Sequence, residues 1–279
     1  MPKPSAGWTN SPDGVVASVE VSKSSSIVTG ISVERQLKWF GGVIDFQIGS
    51  SSFQTVWPSS QLREYSNTGV QLSISSDSND DTDVTGIGAR DVAVFLIRRT
   101  HGTNIYYRDL EIIKLTGTTP VLTTATDNVR CYSVLIRQCG SNQKNVGTIY
   151  AGSGTVTAGV PATIYSLSPA GVANPILPDI NYLPTEVAFI RNLTFSVAGN
   201  KSATVQVVTY GAENIYRVLY QFEVQGSLVR IPFDPTRIQS LSSTDIQIRA
   251  KSDTGTVSIF FNIQVVIVSG WNLRSPFEV

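Results

Sequence analysis

The sequence has very little histidine and cysteine. His101 is the one histidine among 279 residues, and it stands beside Gly102 in a stretch typical of a hairpin turn. Ser-His-Asp or Cys-His catalysis would have to use this residue, and we predict an exposed turn histidine instead. The two cysteines, Cys131 and Cys139, are too few with one histidine for a structural zinc site.

The spacing of the cysteines argues against a disulfide between them. Both fall in or beside one predicted strand, residues 129–137. Eight extended residues separate their Cα atoms by roughly 26 Å, whereas a disulfide needs Cα atoms within about 7 Å. We therefore predict two free thiols in a protein made in a reducing compartment.

Charge is scarce and balanced. Charged residues make up 15% of the chain, and the formal net charge is zero. Without a basic surplus to neutralise phosphates, we expect no nucleic-acid partner. No apolar run approaches the roughly 20 residues of a membrane helix, so we expect no membrane partner. The first residues, Met-Pro-Lys-Pro-Ser, contain no apolar signal core, and we expect that the chain is not exported by itself.

What the chain does have is β-strand patterning, clearest in residues 256–268. Apolar side chains occupy the odd positions from Val257 to Ile267, and the even positions include Ser258, Asn262 and Gln264. Successive side chains of a strand point to opposite faces, so the pattern predicts a central strand with one buried face. At roughly 3.3 Å per residue the strand would run about 40 Å, which predicts a bulge or bend within it.

Similar alternation recurs between turn signals. Residues 91–98 and 105–115 are predicted as two strands around a turn at 101–104. Two later strands are predicted to bury one face each, through Val187, Phe189, Leu193, Phe195 and Val197 in the first and Tyr216, Val218, Tyr220, Phe222 and Val224 in the second. No stretch shows a convincing period of 3.6 residues, so helix content is predicted to be very low.

These patterns predict an all-β protein. Many strands with turn signals at near-regular spacing are typical of tandem antiparallel β-sandwich or jelly-roll domains, with a single extended jelly roll as the alternative. We predict an extended N-terminal arm at 1–34, a first domain at 35–150, and a second domain with a C-terminal tail at 151–279. The boundary lies where composition becomes rich in Gly and Ser.

An acidic loop is the one candidate metal site. Calcium-loop ligands recur at every second position, as do four polar residues here: Asp77, Asn79, Asp81 and Asp83. However, Thr82 replaces the glycine at position six of such a loop, and Gly88 replaces the glutamate at position twelve. The default is a solvated acidic loop, and a Ca²⁺ site stays open as the alternative.

Catalytic carboxylates are not marked by any pattern. Glycoside cleavage would need two to converge from residues such as Glu111, Glu186, Glu223 and Asp234, and no spacing singles out a pair. We predict no catalytic residue, no metal and no cofactor, and hence a protein that is not an enzyme.

Several short segments, in order, resemble a recurrent block in virion structural proteins of tailed phages, especially marine ones. They are Asp-Asp-Thr at 80–82, Gly-Ile-Gly-Ala-Arg at 86–90, Thr-Gly-Thr-Thr-Pro at 116–120, Gly-Ser-Asn at 140–142 and Asn-Val-Gly-Thr-Ile at 145–149. The second half resembles the family in Phe-Glu-Val-Gln-Gly at 222–226, Phe-Asp-Pro at 233–235 and residues 244–252. The resemblance covers residues 70–268.

The resemblance implies a non-enzymatic structural protein of a virion, without cofactor or catalytic residues. Its implied location is the virion, assembled in the host cytoplasm, where free thiols persist. We expect a homo-oligomer, such as a trimer, in contact with other virion proteins. A capsid-associated role as a minor capsid, cement or vertex protein comes first, and a tail or fibre role comes second.

A carbohydrate-binding module that recognises a host glycan is the alternative from another class. Trp39, Trp57 and Tyr107 would serve as stacking platforms if they were exposed.

The last residues carry large apolar side chains that a solvated tail would not usually keep. Trp271, Leu273 and Phe277 follow the last predicted strand. We predict that they are interface residues that dock onto neighbouring subunits or partner proteins, because large aromatic side chains in pockets dominate interface energies.

Overall fold

The computed structural model describes residues 9–11, 14–19, 33–44, 52–56, 66, 68–103, 105–172, 179–197, 201–211, 215–226, 229–238, 244–252, 257 and 259–269. For residues 9–11, 14–19, 33–44, 179, 191, 229–238, 260, 268 and 269 it describes the backbone alone. In this part of the chain every regular element is a strand, as predicted: β1 (Thr9–Ser11), β2 (Gly14–Val19), β3 (Val33–Ile44), β4 (Gln54–Thr55), β5 (Ser73–Ser76), β6 (Ala89–Arg99), β7 (Tyr106–Lys114), β8 (Val121–Leu122), β9 (Asn128–Cys139), β10 (Ile149–Thr157), β11 (Val160–Ser168), β12 (Asp179–Tyr182), β13 (Glu186–Val197), β14 (Ser202–Gly211), β15 (Tyr216–Gln225), β16 (Val229–Ile238), β17 (Thr244–Lys251) and β18 (Ile259–Ser269). No helix in these residues is long and apolar enough to cross a membrane.

β18 is a central strand, which confirms the expectation from its alternation. It lies in an antiparallel sheet of order β1-β2-β3-β18-β13-β16. Its odd-numbered side chains from Ile259 to Ile267 are buried, whereas Asn262 on the other face is exposed. The buried face packs on a second sheet, of order β12-β17-β14-β15 with β4 beside β17, through residues such as Val207 and Ile248. We call this pair of sheets the outer sandwich.

The bulge expected in β18 lies instead in the strand beside it. β13 carries one extra residue relative to β18, between positions 190 and 192. One extra residue reverses which side chains face inward. Ala188 therefore shares the core with Leu193, whereas Val187 and Phe189, which the sequence placed on that face, lie outside this core cluster.

A second bulge corrects the predicted inner face of β15. The register of β14 and β15 shifts between Val207 and Val208, which leaves Leu219 as the extra residue of β15. Phe222 and Tyr220 still pack on the core, but Val218 is 54% exposed.

The strands from β5 to β11 form another sandwich. Its sheets have the orders β7-β6-β9 and β11-β10-β5-β8. They enclose a core that includes Leu72, Val94, Val134 and Ile149. Because these strands lie in sequence between β4 and β12 of the outer sandwich, we call this pair of sheets the inserted sandwich.

Strand pairing groups the chain differently from the predicted ranges 35–150 and 151–279. The boundary at 150 falls inside β10, which pairs with β5 and β11. β3, from the predicted first domain, pairs with β18, and β1 and β2, from the predicted arm at 1–34, extend the same sheet. The predicted division of the chain into independently folding units stays a prediction.

Candidate functional site

A fully buried carboxylate, Asp81, organises one end of the inserted sandwich. Its Oδ1 accepts hydrogen bonds from the backbone N–H groups of Ala89 at 2.7 Å and Val146 at 2.9 Å. Its Oδ2 accepts them from the Ser76 hydroxyl at 2.6 Å and the Gly147 N–H at 2.8 Å. Burying a charge is costly unless donors replace water, and these four donors do so from three separate segments.

Backbone hydrogen bonds hold the same segments together. The Gly117 N–H donates to the Asp81 carbonyl at 2.9 Å, the Gly88 N–H to the Asp80 carbonyl at 3.0 Å, and the Gly140 N–H to the Gly88 carbonyl at 2.7 Å. We call residues 76–90, 115–119 and 140–148 the Asp81 cluster.

Two glycines of the Asp81 cluster occupy positions where a larger residue does not fit. A Cβ on Gly86 would overlap the carbonyl oxygens of Asp80 and Thr82, and one on Gly140 would overlap the backbone of residues 86 and 87. Glycine is the residue that permits such close backbone approach. These positions therefore serve packing.

The acidic loop is not simply solvated, which corrects the default expectation. The Asp77 carboxylate accepts the Thr148 N–H at 2.8 Å, and Asp83 pairs with Lys114 at 2.8 Å. The Asn79 amide oxygen accepts hydrogen bonds from the adjacent turn of the Asp81 cluster. Among the described residues no group of three or more His, Cys, Asp or Glu is arranged to hold a metal ion. The alternating polar pattern is thus explained by internal hydrogen bonds.

The Asp81 cluster joins the segments on which the first-half resemblance rests. These are residues 80–82, 86–90, 116–120 and 140–149, and their links include a bridge between Thr82 and Thr116. The pieces from the second half lie elsewhere, on β15, β16 and β17 of the outer sandwich.

A buried ion pair connects the two sandwiches. Arg130 on β9 donates to Asp245 on β17 at 2.5 Å, and both side chains are fully buried. The same carboxylate accepts the amides of Asn181 at 2.8 Å and Gln247 at 3.3 Å. Nothing in the local sequence pattern of either strand marked these residues, because the contact spans the chain.

A second arginine crosses the same junction closer to solvent. Arg108 on β7 binds both carboxylate oxygens of Glu186 at the start of β13, and it also donates to the Asn181 carbonyl at 3.1 Å. Glu186 further accepts the Leu183 N–H at 2.7 Å. Burial raises the pKa of nearby Tyr182, so its hydroxyl stays neutral.

The candidate catalytic residues lie on separate elements of the fold. His101 is exposed in its turn, as predicted. Glu111 accepts backbone N–H groups from residues 124 and 125, Glu186 binds Arg108, and Glu223 is exposed on β15. Asp234 lies on β16, where only the backbone is described.

Of the three aromatic residues proposed for glycan stacking, only Tyr107 has a described side chain. Its ring is half-buried, the Arg98 guanidinium lies 5.3 Å from the ring centroid, and its hydroxyl donates to Asp127 at 3.3 Å. The Trp39 side chain and Trp57 lie outside the described residues, as do Trp271, Leu273 and Phe277. Cys131 and Cys139 are free thiols, which confirms the prediction.

An apolar surface that the sequence did not single out lies on the sheet β7-β6-β9. Leu110 is 49% and Ile112 56% exposed, and they stand beside half-buried Phe95 and Leu135 on the same face. We call these four residues the β7 face. The sequence feature that could have indicated this surface is the set of apolar residues at 110, 112 and 113, which places apolar side chains on both faces of β7.

Comparisons with known proteins leave the family open. No protein-family model and no curated protein matches the sequence. Among solved structures, the infectious bursal disease virus Gx strain aligns at 12% identity over 86% of this chain and 73% of that chain, with a TM-score of 0.27. A subviral particle of VP2 from the same virus aligns at 12% identity over 91% and 76%, with a TM-score of 0.24. A secreted protein of Parabacteroides distasonis aligns at 10% identity over 94% and 96%, with a TM-score of 0.19. These scores are too low to support an argument about function.

Proposed function

We propose that the protein is a non-enzymatic structural component of a virion, built into the particle as a homo-oligomer. Its role is capsid-associated, as a minor capsid, cement or vertex protein. The main observation in support of the proposal is that the first-half segments resembling tailed-phage virion proteins are hydrogen-bonded to one another in the Asp81 cluster.

The chemistry of the Asp81 cluster explains why such a resemblance points to a structural role. The Asp81 carboxylate is saturated by four donors, and Gly86 and Gly140 have no room for a side chain. Residues of this kind determine how loops pack and leave no group available to a substrate. Proteins that share such residues therefore share a structural scaffold.

The exposed surface supports assembly. The β7 face places apolar side chains in solvent, and among the described strands β7 pairs only with β6. Exposed apolar patches and open sheet edges are typical of surfaces that become covered in an oligomer. The balanced net charge supports protein partners over nucleic acid.

Two other roles compete with the capsid-associated one. A tail or fibre component would use the same assembly surfaces. A module that binds a host glycan has less support, because the described ring among its proposed stacking residues, Tyr107, is covered by Arg98.

Mass spectrometry of gradient-purified, salt-washed virions tests the proposal. We expect the protein at a fixed ratio to the major capsid protein in both full and DNA-free particles. Its absence from washed particles would refute a virion role. After the particles are disrupted, capsid shells and tails are separated and assayed, and co-purification with tails would replace the capsid-associated role by the tail role. A host protein of similar abundance in the lysate serves as the carry-over control.

A further inference from the structure

The hairpin of β10 and β11 doubles back on the sheet to which it belongs. Tyr150, near the start of β10, pairs with Ser75 on β5. Gly159, at the tip of the hairpin, also meets Ser75, because the Ser75 hydroxyl donates to the Gly159 carbonyl at 2.8 Å. A straight strand would separate residues 150 and 159 by roughly 30 Å. The outer part of the hairpin is therefore folded over the sheet.

The bend lies between residues 152 and 156. The pairing of β10 with β11 shifts register between 151 and 152 and again between 153 and 156. Gly154, inside the second shift, has a φ of 81°. Such irregularities bend a strand, and glycine adopts a positive φ without steric penalty. We call residues 153–162, which run from the bend through the tip and back, the strap.

The tip of the strap is seated on the Asp81 cluster. Glycine allows a close approach there, since a Cβ on Gly159 would lie 1.9 Å from the Ser76 carbonyl oxygen. Ser75 and Ser76 are both fully buried. The Ser76 hydroxyl donates to Asp81, so the tip rests on a residue that the cluster holds in place.

Few apolar contacts hold the strap down. Its Val160 packs against Ile164 and Leu167 on β11. Each of its ten residues is described by the structure, and none contributes to the core of the inserted sandwich. Five of the ten are exposed: Gly154, Thr155, Thr157, Ala158 and Ala162. Segments with little buried apolar surface open locally at a lower free energy than core strands do.

We propose that the strap is a hinged cover, which opens at residues 152–156 while both sandwiches stay folded. Opening uncovers the outer face of the sheet β11-β10-β5-β8 around Ser75, Ile164 and Leu167. The β7 face lies on the opposite side of the inserted sandwich, so the strap leaves that surface accessible in either position. The device operates whether or not the protein is part of a virion.

Thiol labelling tests the opening, with buried Cys131 as an internal control. In a Cys139→Ser background, Ser75→Cys places a thiol under the strap. We expect this thiol to react at least about tenfold faster than Cys131 in native buffer, because local opening is more frequent than global unfolding. Urea below the unfolding transition should accelerate Cys131 more than the thiol at 75, since local opening exposes less surface.

Two glycine variants test where the strap is held. Gly159→Ala places a methyl group against the Ser76 carbonyl and should speed labelling at 75 by at least about fivefold. Gly102→Ala is the matched control, because Gly102 also has a positive φ but no heavy atom lies within 4 Å of an added Cβ. This second variant should leave the rate at 75 unchanged.

Three results would overturn the proposal. Equal rates and equal urea dependence at 75 and 131 would show that the strap opens only when the whole protein unfolds. A thiol at 75 that reacts as fast as the exposed thiol of Thr157→Cys would show that the strap is not closed. The same acceleration by both glycine variants would show that the contact with Ser76 does not hold the strap.

A crosslink tests the closed position separately. In a Cys131→Ala, Cys139→Ser background, Ser75→Cys with Val160→Cys should form a disulfide within one chain, because the carbonyl that Ser75 meets is bonded to the Val160 nitrogen. Ser133→Cys with Val160→Cys should not, since Ser133 lies on the other sheet of the inserted sandwich. No disulfide at 75, or a disulfide between two chains alone, would contradict a strap that closes on its own chain.

Discussion

Arg130 and Asp245 are 115 residues apart in the sequence, and their side chains form an ion pair of 2.5 Å with no exposure of either to solvent. The pair joins the sheet β7-β6-β9 of the inserted sandwich to the second sheet of the outer sandwich. Desolvation offsets much of the attraction between buried charges, so the main effect of such a pair is to fix how the two sandwiches meet.

Removing one charge of this pair should destabilise the protein strongly. Asp245→Asn removes the carboxylate charge that the buried Arg130 guanidinium faces in this pair, and we expect a loss of about 3–5 kcal/mol in the free energy of unfolding, measured by urea denaturation. Adding Arg130→Met removes the buried positive charge as well, so the double variant should be more stable than the single one. A single variant within about 1 kcal/mol of the parent would contradict the role given to the pair.

Asp81→Asn should unfold the loop assembly at modest denaturant concentration. The amide NH₂ group would face the N–H and hydroxyl donors whose hydrogen bonds the carboxylate now accepts. We expect this to lower the free energy of unfolding by about 2–4 kcal/mol. Asp80→Asn is the matched control, since Asp80 is the exposed neighbour and should change stability by no more than about 0.5 kcal/mol. Equal effects of the two substitutions would contradict the stabilising role of the Asp81 carboxylate.

The pair of Arg98 and Asp109 predicts a pH dependence in the acid range. The hydrogen bond from Arg98 holds the pKa of Asp109 below its usual 3.8. The unfolded chain therefore takes up this proton at higher pH than the folded one, so the contribution is fully present above the usual value and is lost as pH falls through the folded pKa. Asp109→Asn should lower stability at about pH 7 and have a smaller effect at about pH 3.

A surface pair supplies the control for that measurement. Lys114 is 73% exposed beside Asp83, so Lys114→Met should leave the stability at both pH values nearly unchanged. An Asp109→Asn effect of the same size at both pH values would contradict the assigned pKa.

The two thiols should differ in reactivity. Burial raises the pKa of Cys139, so little thiolate forms at neutral pH and alkylation should be slow, with a rate that rises above about pH 9. Cys131 is fully buried and should react only after unfolding. Intact-mass analysis of alkylated native protein checks this, with Cys139→Ser as the control. Labelling of Cys131 before Cys139 would contradict this expectation. A native mass lower by two hydrogens, the signature of a disulfide, would contradict it as well.

Local pattern was sufficient for strands and some turns. The alternation around Ile263 predicted both the strand and its buried face, and the two strands predicted at 91–98 and 105–115 correspond to β6 and β7. These features depend on side-chain periodicity, which a sequence displays directly.

The sequence pattern was not sufficient where a single extra residue sets which face is buried, or where the contact is with a distant strand. The extra residue at 191 reversed the face of β13, and Leu219 turned Val218 outward. The links from Arg130 to Asp245 and from Arg108 to Glu186 were not predicted, because pairing between distant strands leaves no local signal. The role of Asp81 was missed for the same reason, since its donors come from residues up to 66 positions away.

A cryo-electron-microscopy map of the purified virion, resolved well enough to trace strands, is the decisive test of the virion role. We expect symmetry-related density on the capsid that fits both sandwiches, with the Asp81 cluster at one end of the inserted one. A map in which every protein density on capsid and tail is assigned to other chains would contradict it.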